Sequence, residues 1–227
     1  MCTILVRHNP ADPYPLAILA NRDEAYKRSS GGWGWRGGDR QYFAPIDLVA
    51  GGSWIGLNRE GLVVALTNIF PNARIKNPRS RGALVADALG FPSAVGAEDG
   101  LADNIIKWDY NNFNLLIADP ISAFVVSWKA QQLAINHLQP GLYEIVNTLF
   151  TARGDGNLDP PNNLWIKEND EQLCSHPQVC RHGDDYGTRC SHKILIGKGG
   201  VEKQVWHLEG HPCEGEFIKV LSEEQLS

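Results

Sequence analysis

The chain is poor in the features that commit a protein to a membrane, a nucleic acid or a metal cage. No apolar stretch approaches the ~18 residues that a membrane-spanning helix needs. There is no dense stripe of Lys and Arg, and the formal net charge is −5, which argues against nucleic acid as a main partner. Asn9, Pro10, Asp12 and Pro13 interrupt the first apolar run, so a secretory signal is not expected. Cysteine is sparse: there are five in 227 residues, an odd number with no Cys-x-x-Cys pair. That usage fits reduced thiols in the cytoplasm rather than a disulfide framework. Repeats, low-complexity tracts and linkers are also missing, so a single domain over residues 1–227 is expected. What is present is ordinary for a globular protein, 43% hydrophobic and 21% charged residues, enough for a full core.

The chain is organised around its first twenty-four residues. Thr3-Ile4-Leu5-Val6 and Leu16-Ala17-Ile18-Leu19 are short apolar runs of strand type, separated by the turn-rich Arg7–Pro15. If they pair as an antiparallel hairpin, Cys2 lies beside Arg22 and Asp23. A small residue after Met1 permits removal of the initiator methionine, which would free the α-amine of Cys2. A thiol and an α-amine on one residue are a nucleophile and its own base. The plainer reading is a buried packing cysteine followed by a solvated charged turn.

Further along, Ser29–Asp39 reads as a Gly- and Trp-rich loop in which Trp33 and Trp35 either wall a pocket or cover the core edge. Ser53–Leu57 and Leu62–Asn68 form a second hairpin around Asn58–Gly61, the glycine suiting a positive-φ turn. Asn68 ends that hairpin, either as an amide donor to an oxyanion or as a turn former before Pro71. Ser80–Leu89 and Ala97–Trp108 carry helical apolar spacing, with Gly90 as a stop for the first. Phe113–Ala118, Ala123–Trp128 and Gln132–Ile135 read as consecutive antiparallel strands, and Leu142–Asn147 as another. Ala152–Glu171 reads as loop. His192–Gly197, Lys203–His207 and Glu216–Val220 read as closing strands, so the class is α+β.

Cysteine and histidine recur near the end as Cys174-x-His176, Cys180-x-His182 and Cys190-x-His192, with His207, His211 and Cys213 downstream. These are zinc-type ligands, but the intervals match no established zinc spacing, so no metal is expected and unligated thiols and surface histidines are preferred. An axial contact to heme through one of them is the alternative.

Taken together, Met1-Cys2-Thr3, Asn21-Arg22-Asp23-Glu24, Gly51–Asn58, Leu66-Thr67-Asn68, Ser80-Arg81-Gly82 and Tyr186–Ser191 resemble the NRDE family, also called the transport-and-Golgi-organisation-two proteins. The matches run in order along nearly the whole chain. The resemblance implies an αββα sandwich of two antiparallel sheets flanked by helices, of the N-terminal-nucleophile (Ntn) hydrolase type. It is similar to the cysteine branch containing bile-salt hydrolases and penicillin V acylases. Carried over by position, it implies Cys2 as nucleophile, Asp23 holding the α-amine, Asn68 at the oxyanion and Asn147 as a second polar contact. Arg22 or Arg189 would favour the thiolate. Ala20 stands where those hydrolases carry an arginine just before their own Asn-x-Asp. The implied reaction is hydrolysis of a linear or cyclic C–N amide in a small molecule, with no required cofactor. The other implied role is heme trafficking, cytoplasmic or, in a eukaryote, mitochondrial, with Trp33, Trp35 and Trp54 lining an apolar slot for heme.

Overall fold

The computed structural model describes residues 2–71, 75–151 and 180–221. Within them two antiparallel sheets face each other, and two helices cover one outer side. Strands β1 (Thr3–His8), β2 (Leu16–Ala25), β10 (Gly141–Ile145), β11 (Tyr186–Ile196), β12 (Lys203–Glu209) and β13 (Ile218–Leu221) form a six-stranded sheet in the order β10-β1-β2-β11-β12-β13. Strands β3 (Ser30–Arg36), β4 (Tyr42–Asp47), β5 (Ile55–Asn58), β6 (Val63–Asn68), β7 (Phe113–Ala118), β8 (Ala123–Lys129) and β9 (Gln132–His137) form a seven-stranded sheet in sequential order.

Alternation along the strands divides the core in two. Ile4, Val6, Leu16, Ile18, Ile194 and Val205 meet Ile55, Leu57, Val63, Ala65, Leu116 and Val125 between the sheets. The intervening residues Val64, Leu66, Leu115, Ile117 and Val126 point the other way, onto Leu84, Leu89, Leu101 and Ile105 of the helices α1 (Arg81–Leu89) and α2 (Ala94–Lys107). Full burial of one such side chain is worth about 1.5–3 kcal/mol. Both helices of the described residues lie on the outer face of the seven-stranded sheet. The α+β sandwich expected from the sequence is therefore the observed architecture.

Local chemistry sets most boundaries. The β5–β6 hairpin turns at Gly61, φ +89°, while Asn58 Oδ1 accepts from the Glu60 and Leu62 N–H groups. Helix α2 starts at Ala94 rather than Ala97, because Ser93 Oγ accepts from Gly96 N–H at 3.1 Å and Asp119 Oδ2 from Ala94 N–H at 2.7 Å. The Gly/Trp-rich stretch read as a loop is largely strand β3. Its pairing with β4 shifts between Gly31 and Gly34, and Trp33 and Trp35 both pack on Phe43. Strand β4 carried no expectation from the sequence. The loop expected at Ala152–Glu171 lies outside the described residues, as do Cys174 and His176. No helix among the described residues is long and apolar enough to cross a membrane.

Candidate active site

The site starts from the register of β1 and β2. Thr3 pairs with Asn21, so the next step toward the chain start sets Cys2 against Arg22. Cys2 shares the face of Ile4 and Val6, and Arg22 that of Ile18 and Ala20. Both side chains therefore enter the space between the sheets, at its open end. A pocket of about 390 Å³ opens there, with Cys2, Arg22, Asp23, Trp54, Asn68 and Arg81 among its lining.

Asp23 points to the other side of β2, where β11 receives it. Thr188 pairs with Asp23 in the ladder, and its Oγ1 donates to Asp23 Oδ1 at 2.7 Å. Arg181 Nε stands 3.8 Å from Oδ2. The Asp23 carbonyl accepts from Tyr186 Oη at 3.0 Å and lies 3.8 Å from Cys2 Sγ. Burial pushes the Cys2 thiol up, and the Asp23 charge adds to this, while the Arg22 cation opposes it; the net shift is upward.

Two arginines, Arg22 buried and Arg81 half-buried, face the cysteine from different elements. Arg22 is 4% exposed, lies 4.3 Å over the Trp54 ring and 3.3 Å from Asp47 Oδ2. Its Nη1 is buried with no hydrogen-bond partner among the described residues. Asp47 is shared with Arg28 at 2.7 Å and accepts from the Val49 and Ala50 N–H groups. Burial would raise its carboxyl, but Arg28 and those N–H donors hold it below the usual range. Arg81 opens α1 and donates to the Asn112 carbonyl at 2.9 Å. Burial lowers its pKa, and the charge of the nearby Cys2 works in the opposite direction. Helix α1 can come this close because Gly52 and Gly82 touch backbone to backbone. A Cβ on Gly52 would lie 2.5 Å from the Gly82 carbonyl carbon.

The structure separates the remaining expected residues. Asn68, at the end of β6, lines the pocket. Asn147 does not; its Nδ2 donates to the Asn68 carbonyl at 2.7 Å, which ties the Asn147 side chain to the end of β6. Arg189, expected as the alternative to Arg22 for the cation beside the thiolate, lies at the β11 bulge and is turned elsewhere. Its Nη1 donates to the Tyr26 carbonyl and, at 2.9 Å, to the Arg28 carbonyl, and Nη2 faces Glu209 at 3.5 Å. Sequence reasoning gave no role to Arg81, Asp47 or Arg28. A single signal was available, an arginine at a helix start beside a glycine.

The histidines and tryptophans divide as well. His192 is buried between the sheets, with Trp33 Nε1 at 3.1 Å from Nδ1 and Trp54 Nε1 at 3.1 Å from Nε2. Burial, His207 and Arg22 all push its pKa well down. Trp35 stacks under Arg59 instead, at 4.5 Å. The three tryptophans therefore do not share one slot; of them only Trp54 lines the pocket.

Comparisons with known proteins agree with the fold. The family model described as Transport and Golgi organisation 2 matches residues 1–167. The chain is similar to the transport and Golgi organization protein 2 homolog of Bos taurus, 33% identical over 258 positions, covering 88% of this chain and 90% of that protein. It is also similar to the Mus musculus homolog, 32% identical over 133 residues, covering 52% and 45%. Among solved structures, a variant of the conjugated bile acid hydrolase from Clostridium perfringens aligns with TM-score 0.58 and 10% identity over 96% of each chain. The Caenorhabditis elegans ortholog of N-acylethanolamine-hydrolyzing acid amidase aligns with TM-score 0.57 and 16% identity, over 87% of this chain and 93% of that one.

Proposed function

The chain belongs to the transport and Golgi organisation 2 family and carries the Ntn-hydrolase fold, and from that premise we propose that it is a cysteine amidohydrolase. Cys2, freed of Met1, is the nucleophile, and the substrate is a small molecule with a C–N amide bond. The observation that carries this reading is that Cys2 and Asn68 line one pocket at the open end of the sandwich beside two arginines, with the Asp23 carbonyl 3.8 Å from Cys2 Sγ. The structural neighbours named as a bile acid hydrolase and an acid amidase support the choice of an amide.

The chemistry follows from the groups present. The α-amine, ordinarily near pKa ~7.7–8.0, accepts the thiol proton at neutral pH. The thiolate adds to the amide carbon, and the Asn68 side-chain amide stabilises the oxyanion. The ammonium then protonates the leaving amine, a thioester remains, and water activated by the same amine hydrolyses it. Asp23, held by Thr188, steadies the ammonium form. Arg22 favours the thiolate from the inner face of β2. Ala20 and Arg22 are two residues apart and share that face, so the cation sits one residue pair further along the strand than an arginine at position 20 would. With Met1 in place Cys2 has no amine, and a thiol raised by burial is a poor nucleophile.

The test is labelling by an electrophilic amide probe, with intact mass reporting the state of Met1. The processed protein is expected to take up one probe at Cys2, while Met1-retaining protein and Cys2→Ser remain unlabelled. Processed protein that does not react would overturn the reading. Of the tryptophans named for the heme role, Trp54 lines this pocket, and Trp33 meets Trp54 at His192.

A further inference from the structure

A second constellation lies at the edge of the six-stranded sheet, outside the pocket. Cys180-Arg181-His182 precedes β11 and His211-Pro212-Cys213 follows β12, so the ladder between those strands brings the two short segments together. The segments mirror each other, Cys-x-His and His-x-Cys. Cys180 Sγ is 3.6 Å from Cys213 Sγ and 3.4 Å from His182 Nε2, and that nitrogen is 3.1 Å from Cys213 Sγ. A ring nitrogen of His211 lies within 4.8 Å of the Cys180 sulfur and of a His182 ring nitrogen. We propose that Cys180, His182, His211 and Cys213 are the four ligands of a structural zinc ion.

The spacing suits the ion. Zn–S bonds of ~2.3 Å and Zn–N bonds of ~2.0–2.1 Å in a tetrahedron put two sulfurs about 3.8 Å apart and sulfur and nitrogen about 3.5 Å apart. Two thiolates balance the charge of Zn²⁺, with both thiol protons released on binding. The remaining polar contacts match a ligand set. His182 Nδ1 lies 3.7 Å from Glu214 Oε1, the outer carboxylate that turns the other nitrogen toward a metal. His211 Nδ1 is buried and has no hydrogen-bond partner among the described residues. The two imidazoles stack with centroids 3.9 Å apart, closer than the roughly 5 Å that two ligands of one tetrahedral zinc require, so one ring turns as the ion enters.

The other Cys/His group lacks these properties. Cys190, His192 and His207 are also close, yet each nitrogen of His192 already faces an indole N–H.

The zinc would act as a staple near Asp23. The main chain of Arg181, between two of the ligands, makes two hydrogen bonds with Thr188, its N–H donating to the side-chain Oγ1 at 2.9 Å and its carbonyl accepting Thr188 N–H at 2.9 Å. Thr188 Oγ1 in turn holds Asp23. The metal assignment stands without the hydrolase reading, because its test measures metal.

The experiment is elemental analysis of the full chain, purified under reductant, exposed to Zn²⁺ and desalted. About one zinc per chain is expected, lost in Cys180→Ser/Cys213→Ser and kept in Cys190→Ser. Replacement by Co²⁺ should give strong visible d–d bands and a thiolate-to-cobalt charge-transfer band, read on the unmodified chain should the double variant fail to fold. Any of three results overturns the proposal: substoichiometric metal, a Co²⁺ spectrum without charge transfer, or a Cys180–Cys213 disulfide in protein so prepared.

Discussion

Replacing Asn114 by alanine tests how the sandwich holds Asn68 at the pocket. Asn114 is fully buried in β7. Its Nδ2 donates to the carbonyls of Val146 and Thr148 at 2.9 and 2.8 Å, and its Oδ1 accepts from Ser127 Oγ at 2.8 Å and Phe150 N–H at 3.2 Å. The carbonyls have alternatives: Val146 also accepts from Thr67 Oγ1 at 2.9 Å, and Thr148 is exposed to water. The Ser127 hydroxyl and the Phe150 N–H are buried donors with Asn114 as their partner. Each buried group left unpaired costs ~1–3 kcal/mol, and the small cavity adds to that, so the variant should lose roughly 3–5 kcal/mol. Urea unfolding followed by tryptophan fluorescence, with an unchanged m value, measures this. The loosened 146–150 segment carries Asn147, whose carbonyl accepts Phe70 N–H at 3.0 Å, so hydrogen exchange at Phe70 should accelerate. A loss under about 1 kcal/mol, or unchanged exchange at Phe70, would refute the claim that Asn114 props this side of the pocket.

Other perturbations bear on the same architecture. Gly52→Ala drives a Cβ into the Gly82 backbone; it should cost roughly 1–3 kcal/mol and move Arg81, seen as a lower melting temperature and an altered Cys2 alkylation rate. Trp54→Leu removes the ring beneath Arg22 and the indole N–H at His192, and thermal unfolding should report a loss of roughly 1–3 kcal/mol. The pH dependence has a definite sign. The His192 pKa is lowered in the folded chain by burial, then His207 and Arg22, so the unfolded chain takes up a proton that the folded ring refuses. Its contribution is complete above pH 6.5 and is lost as pH falls below it, at up to about 1.4 kcal/mol per pH unit. Denaturant titrations from pH 7.5 downward should show this slope, and His192→Gln should flatten it.

The hairpin that sets Cys2 beside Arg22 and Asp23 was legible because register follows from two short apolar runs and the turn between them. The β5–β6 hairpin and the β7–β9 meander were legible for the same reason, since neighbouring strands in sequence are neighbours in the sheet. Strand β3 was hidden because glycine and tryptophan mark loops locally, and only Phe43 across the ladder makes Trp33 and Trp35 strand residues. Arg81 was hidden as well: its proximity to Cys2 depends on the contact between Gly52 and Gly82, which no local pattern encodes. Asn147 and Arg189 were named from position in the chain, but the direction of a side chain is set by the partners it finds. For Asn147 that partner is the Asn68 carbonyl, and for Arg189 the carbonyls of Tyr26 and Arg28.

The sequence by itself determined the α+β class and the pairing of Cys2 with Arg22 and Asp23, matters of periodicity over short spans, and its motifs carried the family resemblance that implied the two-sheet sandwich. Tertiary structure decided which asparagine enters the pocket, which arginines face the thiol, and that Cys180-x-His182 meets His211-x-Cys213. Those contacts join segments far apart in the chain, and a linear pattern carries no record of distance across a sheet.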